Sequence, residues 1–203
     1  MTTLDERIDL YRRAGDHAVS VIAAVPDNRW DSPALGPWTV RTLVGHIGRS
    51  FTTVIEYSAR RADRVDVADA AQYYLAIAEA LADPDPINAR AVQAGLALGD
   101  RPLDAIRELQ DRATATLASE NRIIPTIAGG MWVSDYLPTR IFELGVHSID
   151  LARAIGVPDA LPPEVADSVL ALSVEVARRR GAAQALLVAL TGRGQLPEGF
   201  SIV

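Results

Sequence analysis

The chain has 203 residues, 49% hydrophobic, 23% charged and 5% aromatic, enough for one compact domain with a small appendage. Its formal charge of −6 lacks the basic footprint that phosphate-backbone binding needs, which argues against a nucleic-acid partner. Cysteine is absent and all 20 basic residues are arginine, which excludes a disulfide framework, thiolate zinc ligands, a cysteine nucleophile and a Schiff-base or P-loop lysine.

The spacing of apolar residues is helical almost throughout. Leu4, Ile8, Tyr11, Ala18, Ile22 and Val25 share one face of a first helix, with Thr3 and Glu6 at capping-box spacing and Pro26 after its end. Pro26, Pro33, Gly36 and Pro37 mark a long loop over 26–38, and Thr39 is an N-cap candidate for a helix reaching about Arg60. Residues 63–83 predict a third, alanine-rich helix, stopped by Asp83-Pro84-Asp85-Pro86. A short helix is expected over 87–98 and a fifth over about 103–121. The segment 123–133, with Pro125, Gly129 and Gly130, reads as a loop.

A long helix is expected from about Pro138 to Ile155, ended by Gly156 and Pro158. Pro162-Pro163-Glu164 opens another that carries Val165, Val169, Leu172 and Val176, and 182–190 forms a shorter apolar segment. No alternating run makes a convincing sheet, and there is no internal repeat or low-complexity linker. The expected fold is all-α, a four-helix bundle with additional short helices. Residues 1–157 form the bundle in this reading, and 158–203 are a helical extension packed on it, not an independent domain. The N-terminus lacks the basic and apolar regions of a signal peptide, and the longest uncharged stretches fall well short of the roughly 20 residues of a bilayer span. The expectation is a cytoplasmic protein without a membrane partner.

Common catalytic signatures are missing: there is no G-x-S-x-G, G-x-G-x-x-G, Walker loop or H-E-x-x-H. The long helix carries the chemistry instead. At about 100° per residue, Glu143 and His147 differ by ~40°, and Tyr136, Arg140 and Asp150 fall within about 60° of Glu143. Apolar side chains flank this polar seam on both sides, Leu137, Leu144 and Leu151 on one and Phe142, Val146 and Ile149 on the other. Such a helix is largely buried, and burying a carboxylate with an imidazole costs several kcal/mol unless each is paired or bound to a cation. Neutral imidazole and carboxylate are natural ligands of a metal ion, and i, i+4 spacing puts their β-carbons about 5–6 Å apart.

A third ligand has to come from elsewhere. His46 lies at the margin of the apolar arc of the second helix, in line with Thr39 and Ser50, as a ligand or as a satisfied structural histidine. The alternative for Glu143 and His147 is a buried ion-pair network with Arg140. Asp150 then neutralises Arg153 or caps a neighbouring helix. His17 reads as a surface or half-buried residue, Arg178-Arg179-Arg180 as a solvated helix end, Tyr73 and Tyr74 as core and rim, and Trp38 as a staple for its loop.

Two blocks carry a family resemblance. Pro37-Trp38-Thr39-Val40-Arg41-Thr42-Leu43-Val44-Gly45-His46 resembles the "GWTVRDLVAHL" block of the mycothiol-dependent maleylpyruvate isomerase family, part of the DinB-like superfamily of metal-binding four-helix bundles. Arg140, Glu143, His147 and Asp150-Leu151-Ala152-Arg153-Ala154 are similar to its second block, R-x-x-E-x-x-x-H-x-x-D-L-A-R-A, and residues 190–201 to the close of shorter members. The resemblance implies a divalent ion, usually zinc, held by His46, Glu143 and His147, with Asp150 supporting a ligand. It also implies a low-molecular-weight thiol, mycothiol, whose sulfur takes the open coordination position and loses its proton there.

The thiolate then attacks a small electrophile, giving S-transfer if the adduct is kept and cis–trans isomerisation if it collapses. Arg140, with Arg49 one turn beyond His46, is a candidate for binding an anionic group of either substrate. The isomerases carry a substantial C-terminal domain, whereas only residues 159–203 follow Pro158, so maleylpyruvate itself is not carried over. The competing reading is a non-catalytic bundle with a structural metal or an ion-pair network, acting as a ligand-binding or interaction module. A homodimer is left open.

Overall fold

The computed structural model describes residues 3–78, 83–117 and 120–202. In chain order these form α1 (Leu4–Ala23), β1 (Pro33–Leu35), β2 (Trp38–Thr39), α2 (Val40–Ser58), α3 (Ala70–Ala76), α4 (Pro84–Ala97), α5 (Pro102–Thr116), β3 (Ile123–Thr126), β4 (Gly129–Trp132), α6 (Val133–Ile155), α7 (Pro163–Arg179) and α8 (Ala183–Leu190). The fold is predominantly α, with two small antiparallel strand pairs. Helices α1, α2, α5 and α6 make a four-helix bundle in which α1 and α2 each pack against both α5 and α6. On the outside, α4 covers α2, α7 lies against α6, and α3 touches α6 and α7.

The core is built by the apolar stripes read from the sequence. Tyr11 and Ile22 of α1, Leu43, Ile47 and Phe51 of α2, Ile106 of α5 and Leu137, Ile141 and Leu144 of α6 are all buried. Each such side chain contributes roughly 1.5–3 kcal/mol relative to exposure. Local signals set the helix ends. Thr3 and Glu6 close a capping box, Thr39 Oγ1 accepts from Thr42 N at 3.2 Å, and Gly156 ends α6 in the left-handed region at φ 81°.

Several elements differ from the expectation, the largest differences for tertiary reasons. The long helix begins at Val133, not Pro138. A proline inside a helix lacks the N–H that would bond the carbonyl four residues back, here that of Ser134. The Arg7 guanidinium of α1 donates to that carbonyl and, at 3.1 Å, to Asp135 Oδ1, so the freed acceptor is satisfied from another helix.

The expected loop over 123–133 is instead the β3–β4 hairpin, with Ile123 paired to Trp132 and Thr126 to Gly129. The Thr126 hydroxyl donates to Gly129 O at 2.7 Å and accepts from Ala128 N at 3.1 Å, which locks the turn. Gly130 then packs so closely that a Cβ there would lie 2.0 Å from the Arg64 carbonyl oxygen. Its own carbonyl accepts from Asp66 N and Val67 N at 2.8 and 3.1 Å.

Those bonds hold 62–67 off the helical path. The third helix therefore starts at Ala70, behind Asp69 as N-cap, instead of at Asp63. The later part of that expected helix falls partly on 79–82, outside the described residues. Downstream, α4 already starts at Pro84 behind Asp83, and α5 ends at Thr116. The loop over 26–38 contains a short 3-10 turn, Asp27–Arg29, and the β1–β2 pair closed around Gly36 at φ 52°.

Beyond Pro158, α7 buries Val165, Leu172 and Val176. Gly145 of α6 admits Val169, since a Cβ there would lie 2.8 Å from Val169 Cγ2. Arg179 is not a merely solvated helix end: it grips both carboxylate oxygens of Asp69 at 2.9 and 2.8 Å. No helix among the described residues is long and apolar enough to cross a membrane.

Candidate metal centre

The centre lies where α2 and α6 face each other in opposite directions. Tyr136 Oη donates to Thr53 Oγ1 at 2.9 Å, and two turns away His46 meets Glu143 and His147. Glu143 Oε2 is 3.3 Å from His147 Nε2 and 3.8 Å from His46 Nε2. One donor atom from each of the three residues falls within 4.8 Å of the others. The His46, Glu143 and His147 side chains keep 18%, 20% and 15% exposure, so the cluster opens to solvent at its end.

Neighbours fix the three side chains. Tyr74 of α3 donates to Glu143 Oε1 at 2.7 Å, which leaves Oε2 turned toward the two imidazoles. Burial pushes the Tyr74 phenol well above its ordinary range, and the Glu143 charge adds to this, so it stays a donor. His147 Nδ1 is 3.0 Å from Asp150 Oδ2, which directs the other ring nitrogen to the cluster. Trp38, in β2 just before α2, folds its indole over His46 with ring centroids 4.7 Å apart. The indole N–H donates to Asn88 Oδ1 on α4 at 2.8 Å, so Trp38 both staples its loop and walls the site. His46 Nδ1 is buried with no hydrogen-bond partner among the described residues.

The charges follow from this packing. Burial works against a proton on His147, but Asp150 and Glu143 outweigh it and push its pKa up to about 9. Burial holds His46 below its ordinary value despite Glu143 nearby. Burial opposes ionisation of Glu143, yet the two histidines and Arg140 keep its carboxyl well below the usual range. An ion-free cluster thus holds one carboxylate, one imidazolium and one neutral imidazole.

Arg140 does not join an ion pair with Glu143; among the described residues no carboxylate lies within 4.0 Å of it. Its Nε donates to Thr139 Oγ1 at 3.0 Å, and its guanidinium carbon lies 5.0 Å from the Tyr136 ring centre and 5.8 Å from that of Tyr73. Burial opposes its charge, and Tyr136, Tyr73 and Glu143 more than restore it. Asp150 serves His147 and leaves Arg153 to Asp159 at 2.6 Å. Arg49 lines a cavity that none of the three cluster residues lines, and its charge acts on Tyr57 and Tyr73. His17 is half-buried and outside the cluster.

The donor set fits a divalent ion. Two imidazole nitrogens and a carboxylate oxygen are zinc-type ligands, and the 3.3 Å separation of Glu143 Oε2 from His147 Nε2 matches the spacing of neighbouring ligands about 2.0–2.1 Å from one centre. Among the described residues only these three offer themselves, which leaves a coordination position for an exogenous group. Tyr74 is the residue that sequence reasoning missed. Its helical position signals a buried ring, and only the docking of α3 on α6 reveals that its hydroxyl meets a carboxylate.

A four-helix bundle with a His–Glu–His cluster bridging two of its helices defines a class: helical bundles built around a candidate metal centre. More particularly, the chain matches the family model of the mycothiol maleylpyruvate isomerase N-terminal domain over residues 11–152, and it belongs to that family. The match takes in all three residues of the cluster and ends before α7 and α8. Neither the curated proteins nor the solved structures yield a match.

Proposed function

We propose that this protein is a divalent-metal-dependent enzyme that uses a low-molecular-weight thiol, of the mycothiol kind, for S-transfer to a small electrophile, or for its thiol-assisted isomerisation. The observation that supports this reading best is the convergence of His46, Glu143 and His147 on one point, with solvent rather than a fourth protein ligand beside them. When bound, zinc or a similar ion supplies Lewis acidity that lowers the pKa of a thiol S–H placed next to it. A structural ion would call for a fourth protein donor, and the described residues offer none at the cluster, which favours the catalytic reading over a non-catalytic one.

The chain's own residues have distinct tasks. Glu143 brings the negative charge that offsets a cation, and Tyr74 keeps that carboxylate presenting one oxygen. Asp150 holds the Nδ1 side of His147, so its Nε2 lone pair faces inward once the ring is neutral. Trp38 and Asn88 hold His46 in place by packing. Arg140, buried against Tyr136 and Tyr73, contributes its charge to keeping Glu143 ionised. Beyond Pro158, α7 adds an outer wall to the same unit.

Elemental analysis of purified protein tests this, with His46→Ala and His147→Ala alongside. The expected result is about one zinc or similar ion per wild-type chain, lost in both variants together with thiol-transfer activity. A wild type that cannot be loaded with zinc would overturn the proposal.

A further inference from the structure

A cavity of about 580 Å³ lies between α2, α4 and α5, away from Glu143 and His147. It falls within the range of about 300–1,000 Å³ usual for small-molecule sites. Its origin is a run of small residues. Gly45 and Gly95 bring α2 and α4 into backbone contact, where a Cβ on Gly45 would lie 2.2 Å from Gly95 N. Beside that contact Gly48 and several alanines leave the space unfilled, and Leu98 and Leu109 give it an apolar floor.

The rim is cationic in an otherwise acidic protein. Arg49, Arg90 and Arg112 line the cavity against one acid, Glu108, and the Arg112–Glu108 pair is loose at 3.9 Å. Carboxylates outnumber arginines in this chain, 26 to 20, and the arginines elsewhere are nearly all engaged. Among the described residues every arginine side chain has a carboxylate, hydroxyl or backbone-carbonyl acceptor except Arg49, Arg60 and Arg90, and Arg49 acts only through space on Tyr57 and Tyr73. Two of those three face the same cavity. Arg49 is half-buried as a residue, and a guanidinium without an acceptor at the rim of an apolar cavity is free to take an oxyanion through charge-assisted hydrogen bonds.

We propose that this cavity is a binding site for a small amphipathic anion, an oxyanion group on an apolar body. The oxyanion sits between Arg49 and Arg90, and the body lies over Gly48 and Leu109. The site shares no lining residue with the His46–Glu143–His147 cluster, so it stands or falls independently of the metal.

Heteronuclear NMR of the ¹⁵N-labelled full chain, titrated with sodium decanoate, decan-1-ol and inorganic phosphate, tests the proposal. Decanoate is expected to give saturable shifts at Gly48, Gly95 and the Nε–H groups of Arg49 and Arg90. Decanol is expected to bind at least tenfold more weakly, since it lacks the charge. Arg49→Gln and Arg90→Gln should each lower decanoate affinity about tenfold, the loss of one hydrogen bond to a charged group, with well-dispersed spectra showing that the fold persists. His147→Ala, which disables the metal cluster, should leave decanoate affinity unchanged. The proposal is overturned if decanol binds as well as decanoate, if phosphate alone binds as tightly, if neither arginine variant changes the affinity, or if His147→Ala abolishes it.

Discussion

Loading the cluster with a divalent ion should expel a proton, and the structure says which one. Without an ion, His147 sits between Glu143 at 3.3 Å and Asp150 at 3.0 Å, with its pKa pushed up to about 9. Burial keeps His46 neutral at pH 7 and Glu143 is already ionised, so His147 alone has a proton to lose. A ligating imidazole must be neutral. Binding at pH 7 therefore competes with a proton held about two pH units above ambient, which weakens the apparent affinity on the order of 100-fold against the alkaline limit. The sign is set by the raised pKa: affinity climbs nearly tenfold per pH unit up to about 8 and levels off near 9. Calorimetric titration with zinc in buffers of different ionisation enthalpy counts the protons directly. About one per ion is expected at pH 7, and fewer in Asp150→Asn, which removes one of the two carboxylates holding that proton. No proton release at pH 7, or an affinity that stays flat between pH 6 and 8, would refute this assignment of charges.

Three further outcomes follow from contacts described above. Tyr74→Phe should weaken zinc binding ~10–100-fold, because Glu143 Oε1 loses its donor, and should alter the visible spectrum of the cobalt-substituted protein as that oxygen swings toward the ion; unchanged affinity and spectrum would remove Tyr74 from the site. Gly45→Ala should cost about 1–3 kcal/mol in urea unfolding, since the new Cβ meets the Gly95 backbone at 2.2 Å and backbone cannot rotate aside. Arg7→Leu should destabilise by about 1–3 kcal/mol by orphaning the Ser134 carbonyl, and hydrogen exchange should show the first turns of α6 opening more readily than the rest of the helix.

What could be read from the sequence was local. Thr3, Glu6, Thr39 and Gly156 act within a turn of their own helix, and each ends its helix where spacing places it. The approach of Glu143 to His147 was legible for the same reason, since i, i+4 positions share a face in any helix. Their meeting with His46 was indicated by the family resemblance of two distant blocks. What escaped was settled by partners far along the chain. Pro138 looks like the first residue of a helix because its lost hydrogen bond is visible, whereas the Arg7 guanidinium that replaces it comes from α1. The hairpin over 123–132 was hidden by Pro125 and its glycines, and Gly130 is explained only by the Arg64 backbone lying against it. The ion pair that stood as the alternative reading of Arg140 is replaced by the rings of Tyr136 and Tyr73, the second of which is brought to it by α3.

His46 and His147 are separated by about half the chain, and this matters for how an ion would act on folding. The unfolded polypeptide has no cysteine and only three histidines, and keeps just Glu143, His147 and Asp150 near one another along the chain, so it offers a cation only a partial set of donors. Nearly all the affinity would belong to the native state, and the stabilisation would follow RT ln(1 + [ion]/Kd) almost undiminished, about 4.1 kcal/mol at a thousandfold excess over Kd. The ion would also join α2 to α6 across the intervening helices, closing a loop of roughly 100 residues as a reversible cross-link. In a chain that cannot form a disulfide, the cluster would then let two helices distant in sequence be fastened and released by the supply of metal.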